Sequence, residues 1–167
     1  GTALNYESAT SHVLTVTVSD GTNANTVTAN DITISVTDVD EFDAAAPADS
    51  NNAANTVAEG ASSGTTVGLT ASTSDADGSN NAITYAITAQ SCSGAFAVDS
   101  STGVVTVAGT INYEAATSCT VTISGISADS SGTTTQFTVA VTNVNEAPTV
   151  TSAIADASTA EDAAYTL

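Results

Sequence analysis

Leu4-Asn5-Tyr6-Glu7 returns further along the chain as Ile111-Asn112-Tyr113-Glu114, with Tyr6 and Tyr113 set 107 positions apart. Other landmarks return in the same order. Asp38-Val39-Asp40-Glu41 reappears as Asn143-Val144-Asn145-Glu146 after 105 residues, and Pro47 as Pro148 after 101. Val57-Ala58-Glu59 has a fainter echo in Thr159-Ala160-Glu161, at 102. Landmarks kept in order with a drift of a few residues mark a tandem repeat, here of roughly 100–105 residues. Residues 1–43 then form the second half of one repeat, 44–147 a complete repeat, and 148–167 the opening of a third. The chain reads as an interior piece of something longer.

Within these units apolar residues alternate with period two, the pattern of a strand with one buried face. Leu14, Val16 and Val18 alternate with Thr15, Thr17 and Ser19, and Ile32, Ile34 and Val36 with Thr33, Ser35 and Thr37. In the full repeat Ile83, Tyr85 and Ile87 share a face, as do Cys119, Val121 and Ile123, then Phe137, Val139 and Val141. Asp77-Gly78, Ser101-Thr102-Gly103 and Ser131-Gly132 supply turn signals between them. No long 3.6-residue periodicity competes. The expected fold class is all-β: tandem Greek-key β-sandwiches with about seven short strands in about 100 residues.

Charge narrows the function. The 167 residues include no Lys and no Arg against 18 Asp plus Glu, a formal net charge of −18. Nucleic-acid binding requires Lys or Arg to neutralise phosphates, and phosphate-cradling loops usually use a Lys, so both classes are excluded. No apolar run approaches the ~20 residues of a membrane span. The carboxylates therefore need a counter-charge from outside the protein, and clusters offering only oxygen suit a hard divalent cation such as Ca²⁺.

The acidic residues fall into clusters: Asp75-Ala76-Asp77-Gly78 ahead of a strand, Glu7 and Glu114 in the Asn-Tyr-Glu elements, and Asp38-Val39-Asp40-Glu41 and Asn143-Val144-Asn145-Glu146 closing their repeats. Every second side chain of extended backbone shares a face, so such spacing aims carboxylates at a common point. Asp99, beside Ser101-Thr102-Gly103, reads instead as a turn residue.

The ordered set resembles the cadherin repeat. An early Glu59 precedes the Asp-x-Asp of Asp75 and Asp77 and a strand holding Tyr85. Phe96-x-Val98-Asp99 with Thr102-Gly103 follows, then Asn112-Tyr113-Glu114, a late aspartate (Asp20 or Asp129), and an Asp-x-Asn-Asp-like linker. The variant Asn-Val-Asn-Glu-Ala-Pro at 143–148 resembles the bacterial branch, the repeats of tandem surface proteins and adhesins. The resemblance implies Ca²⁺ between repeats. Asp38, Asp40 and Glu41 would meet Glu7 from the repeat before and Asp75, Asp77 and Asp129 from the repeat after. A second junction would use Glu59, Glu114, Asn143, Asn145 and Glu146. Asn5, Asn112 and Asn143 stand where the family usually has aspartate, which lowers the expected affinity or the number of ions.

Cys92 and Cys119 lie in one repeat, and Cys119 shares a face with Val121. In an oxidising compartment they would form a buried disulfide; two free thiols are the alternative. His12 has no Cys or His nearby and reads as a surface residue. Nucleophile, base and orienting group do not assemble into a catalytic order, so an enzyme is not expected. The expected role is a calcium-rigidified extender or stalk segment of an extracellular adhesin or surface fibre, partnered by neighbouring repeats of the same chain or fibre. The alternatives are a calcium-supported module binding carbohydrate or another cell surface, and the subunit of a self-assembling extracellular filament. Stacking on sugars would call for clustered aromatics, and the chain has four Tyr and three Phe.

Overall fold

The computed structural model describes residues 3–18, 27–28, 31–149 and 161–162. Asp20 and most of the third-repeat opening lie outside the described residues. Among the described residues twelve strands run in chain order: β1 (Ser11–Leu14), β2 (Thr17–Val18), β3 (Val27–Thr28), β4 (Ile32–Ser35), β5 (Ala48–Asp49), β6 (Thr56–Ala58), β7 (Thr66–Ser72), β8 (Thr84–Gln90), β9 (Phe96–Val98), β10 (Val104–Val107), β11 (Ser118–Ile126) and β12 (Gly132–Thr142). The described residues contain no helix.

Strands β5 to β12 build two four-stranded sheets, in the orders β5-β7-β10-β9 and β6-β12-β11-β8. All pairs are antiparallel except β12 with β6, which is parallel. The core between the sheets follows the period-two reading. Val67, Leu69 and Ala71 of β7 and Val105 and Val107 of β10 meet Val121 and Ile123 of β11 and Val139 of β12, each at most 1 % exposed. Aliphatic side chains fill this interior, with Tyr85 and Phe96 as its buried aromatics.

Eight strands form this domain, where about seven were expected, because the opening segment divides between the two sheets. Asp49 ends β5 by accepting the Asn51 and Thr70 N–H groups at 3.0 and 3.2 Å and the Asn55 side-chain amide at 2.9 Å. These local bonds replace the sheet ladder and turn the chain across to β6, a change that alternation cannot signal. The crossover lies so close to β7 that a side chain at Gly68 would collide with the Ala54 carbonyl, and Gly68 also has φ +80°. Only glycine satisfies both conditions cheaply. Asp99 is the turn residue expected of it, accepting the Ser101 and Thr102 N–H groups at 3.0 and 2.8 Å.

Before this domain, β1 pairs antiparallel with β4, placing Leu14 opposite Ile32 and His12 opposite Ile34. The repeat offsets equate β1 with β11 and β4 with β12. Burial does not follow the equivalence. Leu14, Val16 and Ile34 are 51, 38 and 45 % exposed, whereas their counterparts Val121, Ile123 and Val139 are fully buried. The β1–β4 face therefore has the composition of a sandwich interior without an opposing sheet among the described residues.

Cys92 and Cys119 form a disulfide with Cα atoms 5.6 Å apart, tying the turn after β8 to the start of β11.

Candidate metal centre

The first acidic cluster forms where the linker 38–43 meets the loop between β7 and β8. Asp77 is 4 % exposed. Its N–H donates to Asp75 Oδ1 at 3.1 Å, and its own carboxylate accepts the N–H groups of Glu41 and Phe42, both at 3.3 Å. Two linker amides thus end on one buried carboxylate, which fixes the path of residues 41 and 42 and turns Glu41 toward the loop. Asn5 caps the preceding turn, accepting the Ser8 N–H on its side chain at 2.7 Å. That turn brings Glu7 to the same place. One oxygen from each of Glu7, Glu41 and Asp77 lies within 4.8 Å of the others, and the same holds for Asp40, Asp77 and Asp129. Asp77 belongs to both groups.

Asp129 is held by the Ser131 N–H, which donates to its Oδ1 at 2.6 Å. Asp38 accepts a hydrogen bond from the Ser79 hydroxyl through Oδ2. The second oxygens of both residues, Asp38 Oδ1 and Asp129 Oδ2, are buried without a hydrogen-bond partner. A buried carboxylate oxygen with no donor is costly unless a cation meets it. Charge crowding leaves its mark on two linker residues, Asp40 and Glu41. Loss of solvent, then the negative charges of Asp129, Asp77 and Asp43, push Asp40 up to about 6. Glu41 is raised by loss of solvent and then by Glu7, Asp77 and Asp38. The backbone N–H of Ser131 lowers Asp129.

The second cluster sits at the opposite end of the same domain's strands. Glu59, 7 % exposed, follows β6 and accepts the Val144 N–H at 2.6 Å and the Tyr113 N–H at 3.0 Å, one on each oxygen. Those two bonds lower it and staple the closing linker and the Asn-Tyr-Glu turn to β6. Glu59, Glu114 and Glu146 each place an oxygen within 4.8 Å of the others. Loss of solvent, then the charges of Glu114 and Glu59, raise Glu146.

Eight of the ten acidic sequence-predicted ligands enter these three carboxylate groups: Glu7, Asp40, Glu41, Asp77, Asp129, Glu59, Glu114 and Glu146. Asp38 stands beside the first cluster with an open oxygen. Asp75 is instead committed to the Asp77 N–H and to the Ser131 hydroxyl at 3.4 Å. Asn143 donates its side-chain amide to Glu114 at 3.2 Å, and Asn145 is exposed. Sequence reasoning missed Ser79, Ser131 and Asp43. Serines in a Ser-rich chain carry no signal, and Asp43 looks like one more linker charge.

The donor set is oxygen throughout, it is anionic, and no Lys or Arg exists to answer it. Such a set fits Ca²⁺ in charge and hardness. The partnerless oxygens of Asp38 and Asp129 fit it independently of composition.

The family profile of the cadherin domain matches residues 54–144. Among solved structures, Protocadherin Gamma B2 extracellular cadherin domains 3-6 is 24 % identical with a TM-score of 0.61, the match covering 83 % of this chain and 34 % of that one. Mouse clustered PcdhgC3 EC1-3 is 26 % identical with a TM-score of 0.60, covering 86 % of this chain and 46 % of that one. Mouse Cadherin-23 EC22-24 is 24 % identical, also at 0.60, covering 86 % and 45 %. The chain thus spans a third to a half of the length of these structures. No curated protein sequence matches it. Cadherin domains are extracellular modules of adhesion and extension, and the chain belongs to the cadherin domain family.

Proposed function

We propose that this chain is a calcium-rigidified extender segment of an extracellular tandem-repeat adhesin or surface fibre. One observation carries the reading: Asp77 serves two carboxylate groups at once while accepting two amides of the linker, so linker, preceding turn and following domain converge on a single buried acid. Glu7, Asp38, Asp40, Glu41, Asp77 and Asp129 would hold Ca²⁺ at the first junction, with Asp75 bracing the loop. Glu59, Glu114 and Glu146 would hold it at the second, with Asn143 and Asn145 beside them. Bound calcium supplies the positive charge that lets these groups stay ionised together. The chain's own part is to hold Asp77, Asp129 and Glu59 through backbone amides, and Asp38 and Glu114 through the Ser79 hydroxyl and the Asn143 amide. Without the cation, carboxylates this close repel and the linker loosens.

The exposed apolar face of β1 and β4 supports reading residues 1–43 as the second half of a repeat. The offsets support 44–147 as a complete repeat and 148–167 as the start of the next. The linker Asn143-Val144-Asn145-Glu146-Ala147-Pro148 supports a bacterial-type tandem protein. Self-assembly into a filament is the competing arrangement, with the β1–β4 face as its joining surface. A concentration-dependent oligomer in solution would favour it over a single-chain rod.

The functional reading is tested by thermal unfolding of the chain after chelation and across a Ca²⁺ titration, with Mg²⁺ as control. Selective binding to the folded form raises the midpoint with Ca²⁺ and little with Mg²⁺. An identical midpoint under all conditions would leave the clusters as solvated turns.

A further inference from the structure

We propose that Ser127 and Ser131 are positioning residues whose hydroxyls clamp the Asp77 loop to the Asp129 turn at two points. The clamp sets the spacing of those two carboxylates for a cation shared with Asp40. It rests on the cation reading above and names what holds one of its carboxylate groups together.

Asp77 and Asp129 lie on different segments, and the sheet does not join them. The β8–β11 ladder ends with Ile126 opposite Thr84. Residues 75–83 ahead of β8 and 127–131 after β11 lie beyond that last pair. Each segment is closed on itself. In the loop, the Asp77 N–H donates to Asp75 Oδ1 at 3.1 Å, and the Asn81 side-chain amide donates to the Asp77 carbonyl at 2.8 Å. Inside that ring Asn80 has φ +56°, a left-handed conformation that Asn enters more readily than most residues. In the turn, the Ser127 N–H donates to the Ser131 carbonyl at 2.9 Å and the Ser130 N–H to the Ser127 carbonyl at 3.0 Å. The Ser131 N–H donates to Asp129 Oδ1 at 2.6 Å.

Two hydroxyls bridge these closed segments. Ser127 donates to the Asn80 carbonyl at 2.7 Å, and Ser131 donates to Asp75 Oδ2 at 3.4 Å. Among the described residues no other hydrogen bond joins 75–83 to 127–131. The bridges flank both acids. Asp75 and Asn80 stand on either side of Asp77 in the loop, and Ser127 and Ser131 on either side of Asp129 in the turn. One contact would leave the segments free to hinge about it, whereas two contacts fix a distance. The Ser131 hydroxyl also accepts the Ala44 N–H at 3.0 Å, which ties in the chain just after the linker that carries Asp40.

The clamp works against repulsion. The chain has no Lys or Arg, so hydroxyl and amide donors alone hold Asp75, Asp77 and Asp129 together before a cation arrives. Ser127 is 4 % exposed, and a buried hydroxyl is kept where it has a partner. Removing either hydroxyl strips a donor from the loop and lets the two carboxylates separate. The Glu59 cluster lies at the other end of the strands and is held by the Tyr113 and Val144 amides, so it serves as an internal control.

The test follows amide signals of the isotope-labelled full chain during Ca²⁺ titration, unmodified and as Ser127→Ala and Ser131→Ala. The backbone amide of residue 131 is kept in every variant and reports Asp129, while that of Val144 reports Glu59. Loss of a contact that supports a metal ligand weakens binding by about tenfold or more. The midpoint at residue 131 should therefore rise by about that factor in each variant, while Val144 keeps its own. An unchanged midpoint at residue 131 overturns the positioning role and leaves the cation reading standing. An equal rise at both amides does the same, because it marks a general loss of fold. Silence of both amides in the unmodified chain overturns the cation reading as well. If Ser127→Ala does not fold, Ser131→Ala decides alone, since Ser131 is only half-buried and its backbone bonds are unaltered.

Discussion

The ring of Tyr6 lies directly on the backbone of Gly78: a methyl group at Gly78 would stand 2.7 Å from Cδ1 and 2.8 Å from Cε1 of that ring, and 3.4 Å from Glu7 Oε1. Glycine there lets an aromatic side chain from the segment before the sandwich seat its neighbouring glutamate beside Asp77. Gly78→Ala should push Tyr6 and Glu7 outward without disturbing the core. The expected result is about tenfold weaker Ca²⁺ binding at the first cluster, the scale of a lost supporting contact. The second cluster should be unchanged, as read by amide shifts at Glu41 and Val144. Wild-type affinity at Glu41 would show that this contact does not position Glu7.

Asp77 and Asp40 separate by count. Asp77 enters two carboxylate groups and Asp40 one. Asp77→Asn should therefore remove more bound calcium than Asp40→Asn when ions are counted by equilibrium dialysis. It also gives up one acceptor for the linker amides of Glu41 and Phe42. Equal losses in the two variants would break the bridging role.

Glu59→Gln tests the second staple. A glutamine has one acceptor oxygen, so either the Tyr113 or the Val144 N–H loses its partner, and the cluster loses a charge. The melting temperature should fall even in metal-free buffer, and the Ca²⁺ response at Tyr113 should weaken. A variant with wild-type metal-free stability would show that the two amide bonds do not hold the linker.

Acidity should act in opposite directions with and without metal. Asp40 is raised from 3.8 to about 6, so its contribution to metal-free stability is full below 3.8 and is lost as pH rises through about 6. Glu41 and Glu146, also raised, act in the same sense. Glu59, Asp129 and Asp99 are lowered, so their contribution is present above their ordinary values of 4.5, 3.8 and 3.8 and is lost as pH falls through their folded values. Metal-stripped protein should melt highest near about pH 5 and lower at pH 7. Bound calcium requires ionised carboxylates, so the gain from Ca²⁺ should shrink over the same fall in pH. A metal-free melting temperature that is flat or rising from pH 5 to 7 would contradict the crowding.

Much of this was legible in the sequence, for identifiable reasons. Alternation names faces, and Cys119, Val121, Ile123, Val139 and Val141 are buried as it requires. Repeat offsets name equivalent positions, so Glu7 and Glu114 could be placed on matching turns before any coordinates. What sequence could not give is geometry between segments. The division of the first strand of the sandwich into β5 and β6 depends on the side-chain bonds of Asp49. Asp75 and Asp77 look alike in a short acidic run, yet one is spent on Ser131 and a neighbouring amide while the other gathers two groups. Equivalence also misleads where surroundings differ, as at Leu14 and Val121, whose side chains match and whose burial does not.

Calorimetric titration of the metal-stripped chain with Ca²⁺ in excess Mg²⁺ tests the central claim most directly. The account predicts saturable binding at about 10⁻⁴–10⁻³ M or tighter, the range of extracellular calcium modules. It also predicts two classes of site, the first lost in Asp77→Asn and the second in Glu59→Gln. No saturable binding, or binding indifferent to both substitutions, would contradict it.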